Sequence, residues 1–501
     1  MSLGGIVVSA LANFGFVVIA GRTLGARNGG AVFEGIAVLT ICTYGAMFGT
    51  DVGILKLMPK IRRESPGEAE FRLTLAAFLP PVIIGLIICL LLISFRADLA
   101  ELVVRRGNRV ATARVLVEMA PFVPVGGLMW VATAGMRLWS IRDMVLLQYL
   151  AIPILRLVLI GALIANGLTP TTAAVAWTVP TAAGALVAAG YVIKKTRRSK
   201  GPIPLASRRI RVVVELWRFS GPRSLSGIFQ ILVGWLDVLL VGAMASSRQA
   251  AAYAVASRYI VTGTFALAAM GLAIAPQLSR LFDRLEFDEA KGVYRESTWW
   301  IMAATWPILG VLVLFAPFMM RIFGHGYSSG AICLEILGLA MLLNTGTGNN
   351  AIALMMGGGS KENLGINAAS LAVNVALNLV LIPRFAAEGA AMAWAASITI
   401  TSIATSYFLY RRTKLLPFGK GYGAIALAAL VAYGVVGLAF RAALGSGLAP
   451  ALSGAAASTL VFFGLLACFR SALNLQDLRN FAVREREYGE ESMTSTVDTA
   501  G

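Results

Sequence analysis

The sequence predicts an all-α polytopic membrane protein with about fourteen transmembrane helices: two six-span halves and two further spans at the C-terminal end. Three observations carry this. Of the 501 residues 58% are hydrophobic and only 14% charged, where a soluble domain has roughly half and a quarter. Apolar runs of about 20 residues recur along the whole chain, each long enough to cross a ~30 Å hydrocarbon core as helix, whereas a membrane β-barrel would show short alternating segments. Third, the start of the chain recurs after its midpoint. VVIAGRTLGARNGGAVFEGIAV (17–38) aligns with VLLVGAMASSRQAAAYAVASRY (238–259), placing Gly21 opposite Gly242 and, with one gap, Phe33 opposite Tyr253. GILKLMPK (53–60) then meets GLAIAPQ (271–277), so Pro59 faces Pro276 at nearly the same offset.

The expected spans are 3–21, 33–57, 73–94, 115–136, 144–165, 171–193, 224–243, 250–276, 298–320, 330–355, 364–383, 387–409, 421–441 and 451–469. The first is apolar from its third residue and lacks the basic n-region of a cleaved signal peptide. The eleventh and twelfth are separated only by IPRFAAEG, a tight turn. KKTRRSKGPIPLASRRIR (194–211) combines Pro, Gly, Ser and a run of charge, so it reads as a linker. The expected organisation is 1–193, a six-helix bundle; 194–212, a basic linker; 213–410, a second bundle; 411–470, two additional helices; and 471–501, a charged and then Ser/Thr-rich tail with a disordered composition.

The net charge is +18. Its distribution follows the positive-inside pattern rather than a nucleic-acid footprint. With the N-terminus inside, 29 Lys and Arg fall in inner segments and 11 in outer loops, which predicts cytoplasmic N- and C-termini. Cys42, Cys89, Cys333 and Cys468 sit in apolar runs without metal-ligand spacing, and His325 is the only histidine, so no metal site is expected. There is no nucleotide-binding loop, HExxH or nucleophile elbow; GGGSKEN (357–363) lacks the spacing of a phosphate loop. The expected protein is not an enzyme and carries no cofactor.

The first-span exit RTLGARNGGAVFEG resembles the R-x-LG-x-x-x-x-G-x-F/Y exit of the lipid-linked oligosaccharide flippases. WRFSGPRSLSGIFQILVGWLDVLLVG followed by AYAVASRY is similar to that family's F-S-x-P … D … G … Y-x-x-A-x-R pattern. The resemblance covers most of the first twelve spans and extends to the wider superfamily of lipid II flippases and multidrug antiporters. It implies two pseudo-symmetric bundles around a central cavity, alternating access, and a polyprenyl-diphosphate-linked glycan as substrate in a bacterial cytoplasmic membrane. Membrane lipids, and a polysaccharide polymerase or glycosyltransferase, are the implied partners. Lipid II flippases place arginines in spans one and two. Here FGFVVIA and IAVLTICTYGAMFG carry none, which favours an exported-polysaccharide flippase. A lipid II flippase or cation-coupled drug antiporter is the alternative within the superfamily, and a glycan polymerase or ligase the one from another class.

A charge at the centre of a span costs roughly 3 kcal/mol or more, so each one requires a reason. Asp237 and Arg258 are equidistant from the ASSRQ turn, which predicts equal depth and a pair across a helical hairpin. Either the pair is structural, or Arg258 contacts the diphosphate or sugar while Asp237 holds or releases it. Arg156, twelve residues into span five, is either an anion contact or the partner of a carboxylate on another helix. Arg223 stands at the inner mouth of span seven, where substrate capture and snorkelling to lipid phosphate are both open. Asp237, Asp51 and Glu335 are the candidates for coupling to H+ or Na+. Asn344, Asn349, Asn350, Asn374 and Asn378 cluster on spans ten and eleven, for interhelical bonding or sugar recognition.

Overall fold

A computed structural model describes residues 2–64, 67–104, 106–165, 167–198, 206–445 and 447–469. Residues 194–198 of the expected linker continue the helix before it and 206–212 begin the helix after it; its residues 199–205 and the whole tail 471–501 lie outside the described residues. Among these residues there is helix and no strand. The first half holds α1 (Ser2–Met47), α2 (Thr50–Glu64), α3 (Glu68–Ser94), α4 (Arg96–Val103), α5 (Arg109–Met119), α6 (Phe122–Met136), α7 (Ile141–Ile164) and α8 (Pro170–Arg198). The second holds α9 (Ala206–Met244), α10 (Ser247–Asp283), α11 (Phe287–Leu314), α12 (Ala316–Arg321), α13 (Ala331–Gly346), α14 (Asn350–Met356) and α15 (Ser360–Thr413). Helices α16 (Lys420–Ala443) and α17 (Leu448–Cys468) follow.

Ten helical segments are long and apolar enough to cross a membrane, and two bent pairs raise this to twelve. Two of the segments are far too long for one pass. Gly4–Arg63 has 60 residues and Ser360–Thr413 has 54, about 90 and 80 Å at 1.5 Å per residue against a ~30 Å core. Inside α1 one residue has positive φ, Gly25 (φ 67°), and inside α15 one, Ala386 (φ 49°), and there the helix reverses; Phe48 and Gly49, also at positive φ, separate α1 from α2. At the second reversal the chain closes tightly: a Cβ on Gly389 would collide with the carbonyl of Leu381. The two hairpins bring the passes to fourteen. The first turn is shorter than the loop expected between residues 21 and 33, because Gly25 alone supplies the non-helical angles.

Other breaks have local causes. Helices α5 and α6 form one pass bent by 49° beside Pro121, whose ring cannot continue the hydrogen-bond ladder. In α7 a π-helical turn, Leu146–Ala151, precedes Pro153 and absorbs the donor that proline lacks. Asn108 caps α5 by accepting from Ala111 N at 3.0 Å, and Ser246 caps α10 by accepting from Gln249 N at 3.3 Å.

The outer surface is apolar: Leu186 is 73% exposed and Leu460 74%. Such a surface suits lipid, where only internally bonded helices persist. Inside, Leu73, Met129, Val192 and Leu216 share a core of the first half, and Ile274, Tyr294 and Leu409 one of the second. A third core joins both halves, with Phe16, Val238, Tyr253 and Phe323. Helix α9 bridges them, since Leu216 belongs to the first core and Val238 to the shared one. Helices α16 and α17 pack on α11 through Tyr433 and Phe462.

The sequence repeat is a structural repeat. Helix α3 breaks at Phe95 (φ −100°, ψ 23°) and α11 at Phe315 (φ −110°, ψ 26°), and a short helix follows each.

Candidate functional site

Asp237 lies on α9 and is 1% exposed. Its Oδ2 accepts from Tyr253 Oη at 2.7 Å, and its Oδ1 from Asn378 Nδ2 at 2.8 Å. Asn378 also reaches Asn374 Oδ1, at 3.1 Å one turn earlier on α15. Three helices therefore converge on one carboxylate through neutral groups.

Arg258 is not the partner of Asp237, and the expected pair is corrected here. Among the described residues no carboxylate lies within 4 Å of it and no hydrogen bond is made. Its guanidinium stacks on Trp235, 3.9 Å from the ring centroid. Equal depth did not ensure contact because phase decides it. Tyr253 faces Asp237, and Arg258, five residues on, points about 140° away around α10.

Among the described residues Arg156 has no carboxylate partner either. Nε donates to Trp177 O at 3.0 Å, one terminal nitrogen to Asn13 Oδ1 at 3.1 Å and the other to Thr181 Oγ1 at 2.8 Å. It stacks on Trp177, again at 3.9 Å. One stretch of α1 touches the first platform and the neighbour of the second. Asn13 accepts from Arg156, Phe16 meets Trp177 edge-on at 5.0 Å, and Phe14 meets Tyr259, next to Arg258, at 5.0 Å.

The remaining candidates are placed elsewhere. The Arg223 side chain is outside the described part of the structure. Glu335 pairs with Arg441 at 3.3 Å, and the same arginine donates to Leu314 O at 3.0 Å, tying α16 to α11 and α13. Asp51 opens α2, where a carboxylate favours the helix N-terminus. The asparagines bond between helices: Asn349 to Leu267 O at 3.1 Å, Asn350 to Ser402 O at 3.1 Å, and Asn344 Oδ1 accepts from Ser402 Oγ at 3.0 Å.

Sequence reasoning missed Glu34. It was placed at the edge of the second span, but the helix begins just after Gly25, so Glu34 lies inside and fully buried. Thr112 Oγ1 donates to its Oε2 at 3.2 Å, and Oε1, near the Ser247 hydroxyl, makes no well-formed hydrogen bond among the described residues. The signal was available, as a carboxylate nine residues beyond the only helix-reversing glycine of α1.

Comparison with known proteins agrees with this frame. The chain is 24% identical over 274 residues to a probable low-salt glycan biosynthesis flippase of Haloferax volcanii, covering 54% of this chain and 56% of that relative, so the match spans little more than half of either. The solved lipid II flippase MurJ, in an inward closed conformation, superposes with a TM-score of 0.73 at 13% identity, over 94% of this chain and 98% of that one. An inward-facing multidrug resistance MATE family transporter superposes with a TM-score of 0.68 at 14% identity, over 81% and 94%. Residues 1–282 match the profile of the polysaccharide biosynthesis proteins; with the fourteen-pass fold and the repeat, this places the chain in that family.

Proposed function

We propose that the protein is a flippase that moves a polyprenyl-diphosphate-linked oligosaccharide across the cytoplasmic membrane by alternating access, without making or breaking covalent bonds. The observation that carries this reading is the pair of arginine–tryptophan platforms, one in each half. Among the described residues neither cation has a carboxylate partner; residues 13–16 of α1 touch the first platform directly and, through Phe14, Tyr259 beside the second. An unneutralised guanidinium within a span is costly unless an anion visits it, and its planar fork suits phosphate oxygens. The same charge disfavours a cationic drug as substrate. The cation count of 29 inner against 11 outer supports cytoplasmic termini. A polymerase or glycosyltransferase would supply or consume the glycan.

Asp237, held only by neutral donors, is the carboxylate best suited to couple the cycle to H+ or Na+. Glu335 already has a cation, and Asp51 stands at a helix start.

The test is headgroup translocation in proteoliposomes, using a fluorescent polyprenyl-diphosphate oligosaccharide. Wild type should move it, and Arg156→Ala and Arg258→Ala should move it far more slowly. Folded wild-type protein that moves a lipophilic cation but not this probe would overturn the reading.

A further inference from the structure

The halves meet at the end of the molecule that carries Gly25, Ser247 and Gly326, and they do so by reciprocal insertion. Past α4, Val103, Arg106 and Gly107 of the first half press on the turn between α9 and α10. Ser247 N donates to Arg106 O at 3.1 Å. A Cβ on Gly242 would lie 2.7 Å from Val103 O, and one on Gly107 or Gly30 would strike Ser247. Past α12, Phe323 and Tyr327 of the second half press on the reversal of α1. A Cβ on Gly29 would lie 2.6 Å from Tyr327 Oη, and one on Gly21 3.3 Å from Phe323. A Cβ on Gly326 would come within 3.1 Å of that of Ala26. Val103 and Gly107 are offset from Phe323 and Tyr327 by the same interval as Phe95 from Phe315. Each half thus lends the other the same piece. At the opposite end α9 is the chief bridge, through Lys60–Glu215 at 3.0 Å and Trp217 Nε1 to Ala76 O at 3.3 Å.

Glu34 sits behind the first contact. A Cβ on Gly242 would be 2.8 Å from its Oε1, on the side of the Val103 carbonyl. Oε1 and the Ser247 hydroxyl are both buried and lie near one another, but neither makes a well-formed hydrogen bond among the described residues. Arg109 does not reach it: that side chain bonds Val104 O at 3.1 Å and Glu101 at 3.0 Å. Closing this seam therefore leaves a carboxylate under-bonded, which destabilises the closed state relative to one that admits water.

We propose that these two insertions are reciprocal latches of a single gate, and that Glu34 keeps the gate openable by weakening its closed form. The proposal rests on the alternating-access reading, but its first readout needs no substrate. Two cysteine pairs, Ala26→Cys with Gly326→Cys and Gly107→Cys with Ser247→Cys, would be oxidised in membranes and identified by mass spectrometry of the linked peptides. Each should link in the closed state: the Cβ positions, 3.1 and 2.9 Å apart, need to part by less than about 1 Å to reach the ~3.8 Å separation of a disulfide. Each link should abolish translocation of the fluorescent probe, and reduction should restore it. Adding Glu34→Gln, which removes the buried carboxylate and keeps its shape, should raise the linking rate of the first pair at least about 5-fold, the effect of relieving one under-bonded buried polar group. Linked protein that still transports, or failure of both pairs to link in folded protein, would overturn the gate. An unchanged or slower linking rate with Glu34→Gln would overturn the role of Glu34. Absence of transport in unlinked wild type, with normal linking, would instead count against the flippase reading.

Discussion

Arg156 and Arg258 lie at the same height above a tryptophan ring, 3.9 Å in each case, yet they are held in opposite ways. Every nitrogen of Arg156 donates to a protein acceptor, from α1 or α8. Arg258 has its ring and nothing else among the described residues. One guanidinium is a fixed charge built into the wall, and the other keeps its donors for a visitor. A charge-assisted hydrogen bond is worth about 1.5–3 kcal/mol, so truncating each arginine should separate stability from transport.

Arg258→Ala should have the largest effect on transport. We expect a loss of about 10- to 100-fold in probe translocation, from one or more charged contacts, with a thermal midpoint close to wild type. A large fall in the midpoint would break the contrast, since it would mean that Arg258 is structural. Arg156→Ala should also lose transport, but with a drop of about 2–3 kcal/mol in stability, because Asn13, Thr181 and the Trp177 carbonyl lose their donor. Denaturation monitored by tryptophan fluorescence would measure it. Asp237→Asn comes next. It preserves the shape and the Tyr253 bond, so the protein should fold and still exchange headgroups down their gradient, while stimulation by an imposed H+ or Na+ gradient disappears. Retained stimulation would move coupling elsewhere. Thr181→Ala removes one of three bonds to Arg156, and should cost about 1 kcal/mol and a few-fold in rate. The smallest effect is expected from Glu335→Gln. That pair is about a third exposed on both sides, and such pairs contribute roughly 0–1 kcal/mol.

Much of this was legible beforehand for identifiable reasons. Membrane passes are written in composition, so the spans could be read locally. The repeat could be read because Gly21 and Gly242 answer the same need, close approach of another backbone or ring. Arg156 and Arg258 stood out as charges in apolar runs. What failed was phase between helices distant in sequence. Asn374 and Asn378, four residues apart, share a helix face in the sequence, but nothing local shows that Asp237 lies opposite them. Arg258 was paired by depth, when Tyr253 already held that carboxylate. Glu34 was lost because a one-residue reversal at Gly25 moved the helix start, and with it the depth of everything after it.

The two breaks at Phe95 and Phe315 have one more consequence. Six passes separate them, and six is even. The two units therefore run through the bilayer in the same sense, related by an axis along the membrane normal rather than within its plane. In an inverted repeat, one unit's upper surface becomes the other's lower surface, and each side of the bilayer is built from both kinds of end. With parallel units, like ends meet like. A difference between the two sides of the membrane has to be encoded within a single unit and is then doubled.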